Sequence, residues 1–332
     1  MAEHKPLSII IVGGGIGGLA AAIGLRRNGH DVHVYERTKM ETRYQLGAAI
    51  HICPNANAVL RSWGIYAEKA GANLMSRYVE LSREGATMKD IDLTEANKRW
   101  LHPWHLVRRD AFHQELRSVA LSLHGAGLPG DERTAPLVDR EDTFVLWYGE
   151  DTRMVMYPCN DNQTLNFVGI HPDTRKHRAA WTNAASIKQV YETYKDFDPR
   201  LKAVIEKANI TNDPLRVWRL LDMEPLSTWT SGRLALMGDA AHPFLPFQAQ
   251  GAAQAIEDAA ALSVVLPKGT PSEEVPERLK LYESIRAERA HRIQDYSRKT
   301  GLDRVNGEAV FDSESTGKTP FTSNTVLTII SQ

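Results

Sequence analysis

The hydrophobic pattern changes period several times along the 332-residue chain. Residues 8–12, SIIIV, are an unbroken β-branched run of the kind found in strands covered on both faces. Glycines follow at once. IGGLAAAIGLRRNG then predicts a helix stopped by Gly29, and DVHVYER (31–37) the next strand. GAAIHICPNANAVLRSWGI (47–65) begins as a strand of small residues and turns helical after Pro54. LVRRDAFHQELRSVALSLHG (106–125) ends a strand and starts a helix, with Asp110 as cap, Phe112, Leu116, Val119 and Leu123 as inward stripe, and Gly125 as stop.

Further on the period becomes two. Residues 144–170 hold three alternating runs split by GED and CNDNQ, which predicts a β-meander with one buried face. A polar helical stretch at 185–209 precedes RLALMGD, read as another buried strand. Over 272–300, Leu279, Tyr282, Ile285, Ile293 and Tyr296 recur at helical spacing among many charges, the pattern of an amphipathic surface helix. The tail beyond 302 is polar and patternless and is expected to be poorly ordered. Together these elements predict an α/β chain, a Rossmann-like βαβ unit interleaved with a smaller antiparallel β-sheet domain.

Composition removes several classes of function. With 42% hydrophobic and 24% charged residues the chain is ordinary globular protein. A formal charge of -1 gives no footprint for nucleic acid or an acidic membrane. Cys53 and Cys159 are too few for a disulfide scaffold and point to free thiols in a reducing, cytoplasmic compartment. No Cys/His cluster has metal-ligand spacing, so no metal is expected. Residues 7–25 are uncharged and long enough to suggest a membrane span, but their glycines split them into strand, turn and helix.

The chemistry begins at those glycines. Gly13, Gly15 and Gly18 fit GxGxxG between strand and helix. Gly13 makes the tight turn, Gly15 lets backbone N–H groups approach a pyrophosphate, and Gly18 lets helix and strand pack closely. Glu36, 18 residues beyond Gly18, ends the second strand, where a carboxylate can accept ribose hydroxyls; Arg37 could reach the adenosine side. This unit alone does not distinguish FAD from NAD.

Five motifs in order, GGGIGG…YER, GAAIHICPNA, VRRDAFHQEL, EPLSTWTSGRLALMGDAAHP and QGAAQAIEDAAAL, resemble the FAD-dependent aromatic hydroxylases, single-component flavoprotein monooxygenases, in their salicylate-hydroxylase-like branch. The resemblance covers residues 7–125 and 131–303. It implies an FAD-binding domain from 1–130 and 226–303, a shortened β-sheet substrate domain at 131–225 and a tail at 304–332. It further implies that Gly13, Gly15 and Gly18 wrap the FAD pyrophosphate and that Glu36 holds the adenosine ribose. Ala49 would approach the flavin by its backbone, Arg109 would lie against the cofactor, and Asp239 would bind the ribityl and pyrophosphate region. Gly251, Ala252 and Ala253 would bring backbone N–H groups at a helix start to the flavin, whose reduced form is an anion there.

In such enzymes NADPH or NADH reduces the flavin, and a flavin hydroperoxide formed with O2 hydroxylates an electron-rich phenol. The implied substrate is a small phenolic or aromatic acid, salicylate-like, or a phenolic secondary metabolite. A base or hydrogen-bond partner for its hydroxyl is expected, with His51, Tyr157 and His242 as candidates. The departure falls at 124–143, where relatives of this type carry further strands and an Asp-Gly motif, and this chain has only a loop. A shortened relative that binds flavin weakly and acts without turnover is therefore the competing reading; an NAD-dependent dehydrogenase leaves the Asp239 motif unexplained.

Overall fold

A computed structural model of the chain describes residues 6–36, 49–100, 102–121, 143–149, 152–159, 164–172, 183–184, 187–208, 216–219, 222–302 and 325–331. It opens with the predicted βαβ unit: β1 (Ser8–Val12), α1 (Ile16–Arg27) and β2 (Asp31–Tyr35), with β1 and β2 parallel and in register from Ser8↔Asp31 to Val12↔Tyr35. Gly29 stops the helix with φ +79°. Residues 7–25 thus divide into strand and helix, and no helix among the described residues is long and apolar enough to cross a membrane.

One expectation about this unit is corrected. β1 is not covered on both faces: Ile10 is 66% and Val12 88% exposed. Among the described residues β1 and β2 pair only with each other, so one face meets α1 and the other lies open.

β3 (Ala49–Ile52) leads through Pro54 into α2 (Pro54–Ser62). A short sheet of order β3-β7-β4, with β4 at Asn73–Leu74 and β7 at His105–Arg108, carries β3 in its outer position. Between β4 and β7 lie the hairpin β5 (Arg77–Ser82) and β6 (Thr87–Asp92) and a short helix, α3 (Thr94–Arg99). α4 (Arg109–Leu121) follows β7 directly. It starts at Arg109, so Asp110 lies in its first turn, where its carboxylate accepts the Ala111 N–H at 2.9 Å and binds the Arg108 guanidinium. Phe112 and Leu116 are buried as predicted, but Val119 is exposed. The inward face is centred nearer His113, and at about 100° per residue Val119 falls on its flank while Ala120 faces the core.

The meander forms as β8 (Thr143–Gly149), β9 (Thr152–Cys159) and β10 (Thr164–Pro172), all antiparallel. Its sheet is larger than predicted. β11 (Asn183–Ala184), β12 (Arg216–Arg219) and β15 (Thr325–Ser331) join it in the order β11-β12-β15-β10-β9-β8-β5-β6. The β5–β6 hairpin therefore belongs to this sheet and not to the nucleotide-type unit, and it enters through one parallel pair, β5 with β8. The expectation for the tail is corrected at 325–331. TVLTIIS, rich in β-branched residues, sits between β10 and β12 with Asn166↔Ser331 and Trp218↔Leu327 in register. The rest of the tail lies outside the described residues.

The meander has two covered faces where one was predicted. Val79, Val145, Trp147, Met154, Met156 and Phe167 pack against α5 (Ile187–Tyr194) and α6 (Pro199–Ala208), which resolve the polar helical stretch into two helices. The opposite face turns Phe144, Leu146 and Tyr157 toward Leu106 of the small sheet and Met75 just after β4.

The segment RLALMGD is also not a buried strand. Only β14 (Leu234–Ala235) is regular, it pairs with β13 (Thr230–Ser231), and Leu234 is exposed. Two long helices close the molecule, α7 (Gly251–Val265) and α8 (Val275–Leu302). α8 buries only part of the predicted stripe. Leu279 and Tyr282 face inward, Ile285 and Tyr296 face water, and Arg286, Ala290, Gln294 and Ser297 continue the buried face.

Candidate functional site

The glycine loop is built for close approach. Gly13 has φ +108°, which favours glycine, and its N–H donates to Tyr35 O at 2.8 Å. A Cβ on Gly18 would lie 2.0 Å from Gly13 O, so only glycine lets α1 start against β1. At Gly13 and Gly15 a Cβ would meet nothing within 4 Å, which leaves open space in front of the loop. α1 begins without a side-chain cap and without an acid in its first turn. Its first N–H groups are therefore available to an anion. Glu36 stands at the end of β2, and its Oε2 accepts the Gly14 N–H at 2.8 Å. His113 of α4, which the sequence pattern did not flag, donates Nε2–H to Gly14 O at 2.6 Å and steadies the loop from behind.

The second motif lies beside the first. A Cβ on Gly17 would come within 3.0 Å of Ala255 Cβ and 3.4 Å of Met237 Cε, and one on Gly238 within 3.3 Å of Ala255 Cβ. Residues more than two hundred positions apart thus meet around Ala255 of α7. Asp239 is exposed on a single 3-10 turn, Gly238–Ala240, just before the His242-Pro243 bend. Gly251 and Ala252 open α7, again with no side-chain cap. Ala249 turns the chain into that helix from the left-handed region, φ 54°, and its carbonyl accepts the Cys53 thiol at 3.7 Å. Asn55 Nδ2 bridges to Glu257 Oε1 at 2.7 Å, which fixes the β3–α2 turn against α7.

His242 is fully buried. Its Nε2–H donates to Asp258 Oδ2 at 2.6 Å, and Asp258 also accepts the Gly238 N–H at 2.8 Å and Arg286 Nε at 2.8 Å. Arg286 and Arg289 both reach Glu257. Burial works against the Glu257 charge, yet hydrogen bonds from Arg289 and Asn55 and the charges of Arg286 and Arg289 hold its carboxyl below the usual range. This network locks the His-Pro bend to both long helices.

Where β3 meets the meander, His51 and Tyr157 come together. Their ring centroids are 5.0 Å apart, and Phe144 packs on both. Trp104 Nε1–H donates to His51 Nδ1 at 3.1 Å, and burial pushes the imidazole pKa down to about 3. Ala49, two residues earlier on β3, donates its N–H to Asn166 Oδ1 at 2.9 Å. Asn166 is the register partner of Tyr157 on the neighbouring strand, and it too escaped the sequence reading. Arg109 starts α4 on the surface, and Arg37 lies outside the described residues.

With this geometry in place, comparisons with known proteins fall into line. The FAD binding domain family matches residues 128–297, and the NAD(P)-binding Rossmann-like domain family matches residues 11–40. The FAD-dependent monooxygenase cfoG of Aspergillus candidus is 31% identical, over 89% of this chain and 85% of its own length. The 3-hydroxybenzoate 6-hydroxylase 1 of Aquipseudomonas alcaligenes is 30% identical, over 88% of each. A salicylate hydroxylase in complex with its substrate shares the fold at TM-score 0.69 and 17% identity, over 93% of this chain and 91% of that one. The chain belongs to the FAD-dependent monooxygenases of the aromatic-hydroxylase type. The cfoG alignment runs over 377 positions, more than this chain possesses, so the relative carries residues that this chain lacks inside the matched region.

FAD fits the site on the structure's own terms: an open glycine loop, an acid holding that loop, and two uncapped helix starts at adjoining motifs.

Proposed function

We propose that this protein hydroxylates a small phenolic or aromatic acid, salicylate-like, or a phenolic secondary metabolite, with NAD(P)H and O2 as co-substrates. The observation that carries the reading is the His51–Tyr157 pair beside Asn166, a polar cluster held among aromatic rings where β3 meets the meander. The names of relatives support the substrate class, one acting on 3-hydroxybenzoate and another on hispidin.

In this reading the Gly13–Gly15–Gly18 loop and the α1 start hold the diphosphate of FAD, and Glu36 holds the adenosine end, with Arg37 near it. Asp239 and the Gly251–Ala252 start of α7 hold the ribityl and ring end, Ala49 borders the ring, and Arg109 lies against the cofactor. Bound FAD supplies the redox chemistry and oxygen activation. The chain's own residues orient the ring of the substrate, exclude water and hold its hydroxyl. His51 and Tyr157 are the groups placed to touch that hydroxyl. His242, sealed and bonded to Asp258, positions the bend that leads into α7.

A panel of hydroxybenzoates and larger phenols tests this. Consumption of NADPH or NADH should rise on adding an accepted phenol, with a product one oxygen heavier. An FAD-loaded protein whose reductant consumption no phenol stimulates contradicts the reading.

A further inference from the structure

We propose that His51 Nε2–H and Asn166 Nδ2–H form a donor pair for an oxyanion of the aromatic substrate, so that the site receives the phenol already ionised. This rests on the substrate reading above and assigns the protonation state that the site selects.

His51 cannot serve as the base. An indole N–H only donates, so the Trp104 bond at 3.1 Å occupies the lone pair of His51 Nδ1. The single proton of the neutral imidazole therefore resides on Nε2, which has no hydrogen-bond partner among the described residues. Burial among Trp104, Phe144 and Tyr157 holds the ring neutral, with a pKa of about 3. Neither nitrogen is available to take a proton from a phenol, whereas Nε2–H is free to donate one hydrogen bond.

Asn166 presents the second donor. Its Oδ1 accepts the Ala49 N–H, which fixes which end of the amide is nitrogen. The residue is fully buried, and its Nδ2 has no partner among the described residues. A buried N–H2 without an acceptor is destabilising, and an oxyanion would satisfy it. The two donors belong to one place. Ala49 and His51 are alternate residues on β3, and Asn166 is the cross-strand neighbour of Tyr157, whose ring lies 5.0 Å from His51. The registers put further titratable groups on this sheet face: Tyr78, which donates to Glu80 at 2.8 Å, Lys89 opposite Glu80, and Arg153, stacked over Tyr148 and Phe247. No proton transfer within the protein is required: the phenol loses its proton to solvent before it binds.

Binding spectra of substituted phenols to the FAD-loaded protein test the proposal. Bound 4-nitrophenol should show the phenolate spectrum, and across phenols of graded acidity the pH midpoint of binding should follow each ligand's own pKa. Asn166→Asp keeps the acceptor for Ala49 but sets a carboxylate oxygen where the donor was, and should weaken phenolate binding by about 100-fold or more. His51→Gln, which keeps a donor, should weaken it by about tenfold, and His51→Leu by about 100-fold. The proposal is overturned if the bound phenol is neutral, if all phenols share one enzyme-set midpoint, or if Asn166→Asp binds phenolate as the parent does. Equal loss in Gln and Leu variants that retain FAD and melting temperature also overturns it. FAD-loaded parent protein that binds no phenol at any pH defeats the substrate reading itself.

Discussion

Glu36 serves the glycine loop directly, because its carboxylate accepts the Gly14 N–H. Asp239, exposed on its 3-10 turn, has no comparable duty in the fold. Removing the two should therefore have different consequences. Glu36→Ala should release FAD and also lower stability by about 1–3 kcal/mol, since a partly buried backbone donor loses its acceptor. Asp239→Ala should release FAD while its apoprotein melts at the same temperature as the parent apoprotein. Flavin content and thermal unfolding of both variants check this, and full flavin retention by both contradicts the assignment. Gly13, Gly15, Gly18 and Glu36 were legible because sterics leave a spacing signature. Asn166 and His113 left none: one asparagine inside TLNFVGI and one histidine inside a helix acquire their roles from partners more than 90 positions away.

Among the elements, α8 shows best where periodicity succeeds and where it misleads. Its existence and span follow from helical spacing, but the face it buries is partly polar. Arg286 is drawn inward by Asp258, Glu257 and Gln254, Gln294 by Pro243 O at 2.9 Å, and Ser297 by Leu245 O. A hydrophobicity pattern cannot register a buried arginine whose partners lie on another helix. Arg286→Met takes the guanidinium from buried Asp258, while Glu257 keeps Arg289 and Asn55, and should cost about 3–5 kcal/mol in urea unfolding. A cost below about 1 kcal/mol would show the network to be dispensable. The same cluster sets an acid limit. Glu257 is held below its ordinary range when folded, so its contribution is complete above the unfolded value of about 4.3 and is lost as pH falls through the lower folded value. Glu257→Gln should flatten the loss of stability below about pH 4.3, as urea midpoints at pH 7 and in acid would show.

At the scale of the whole molecule, the sequence indicated the nucleotide-type unit, the meander and their interleaving. It misjudged what covers them. The β5–β6 hairpin and the C-terminal strand both join the large sheet, and such pairings are long-range and invisible to local pattern. One face of β1 and β2 lies bare, and the cfoG relative carries residues inside the matched region that this chain lacks. What survives that shortening is the meeting of the glycine loop and the α7 motif at Ala255. The most direct measurement is the flavin stoichiometry of the purified chain after reconstitution, read by absorbance of the extracted cofactor. One FAD per chain is the predicted result; a folded, monodisperse and colourless protein that takes up no added FAD would contradict the account.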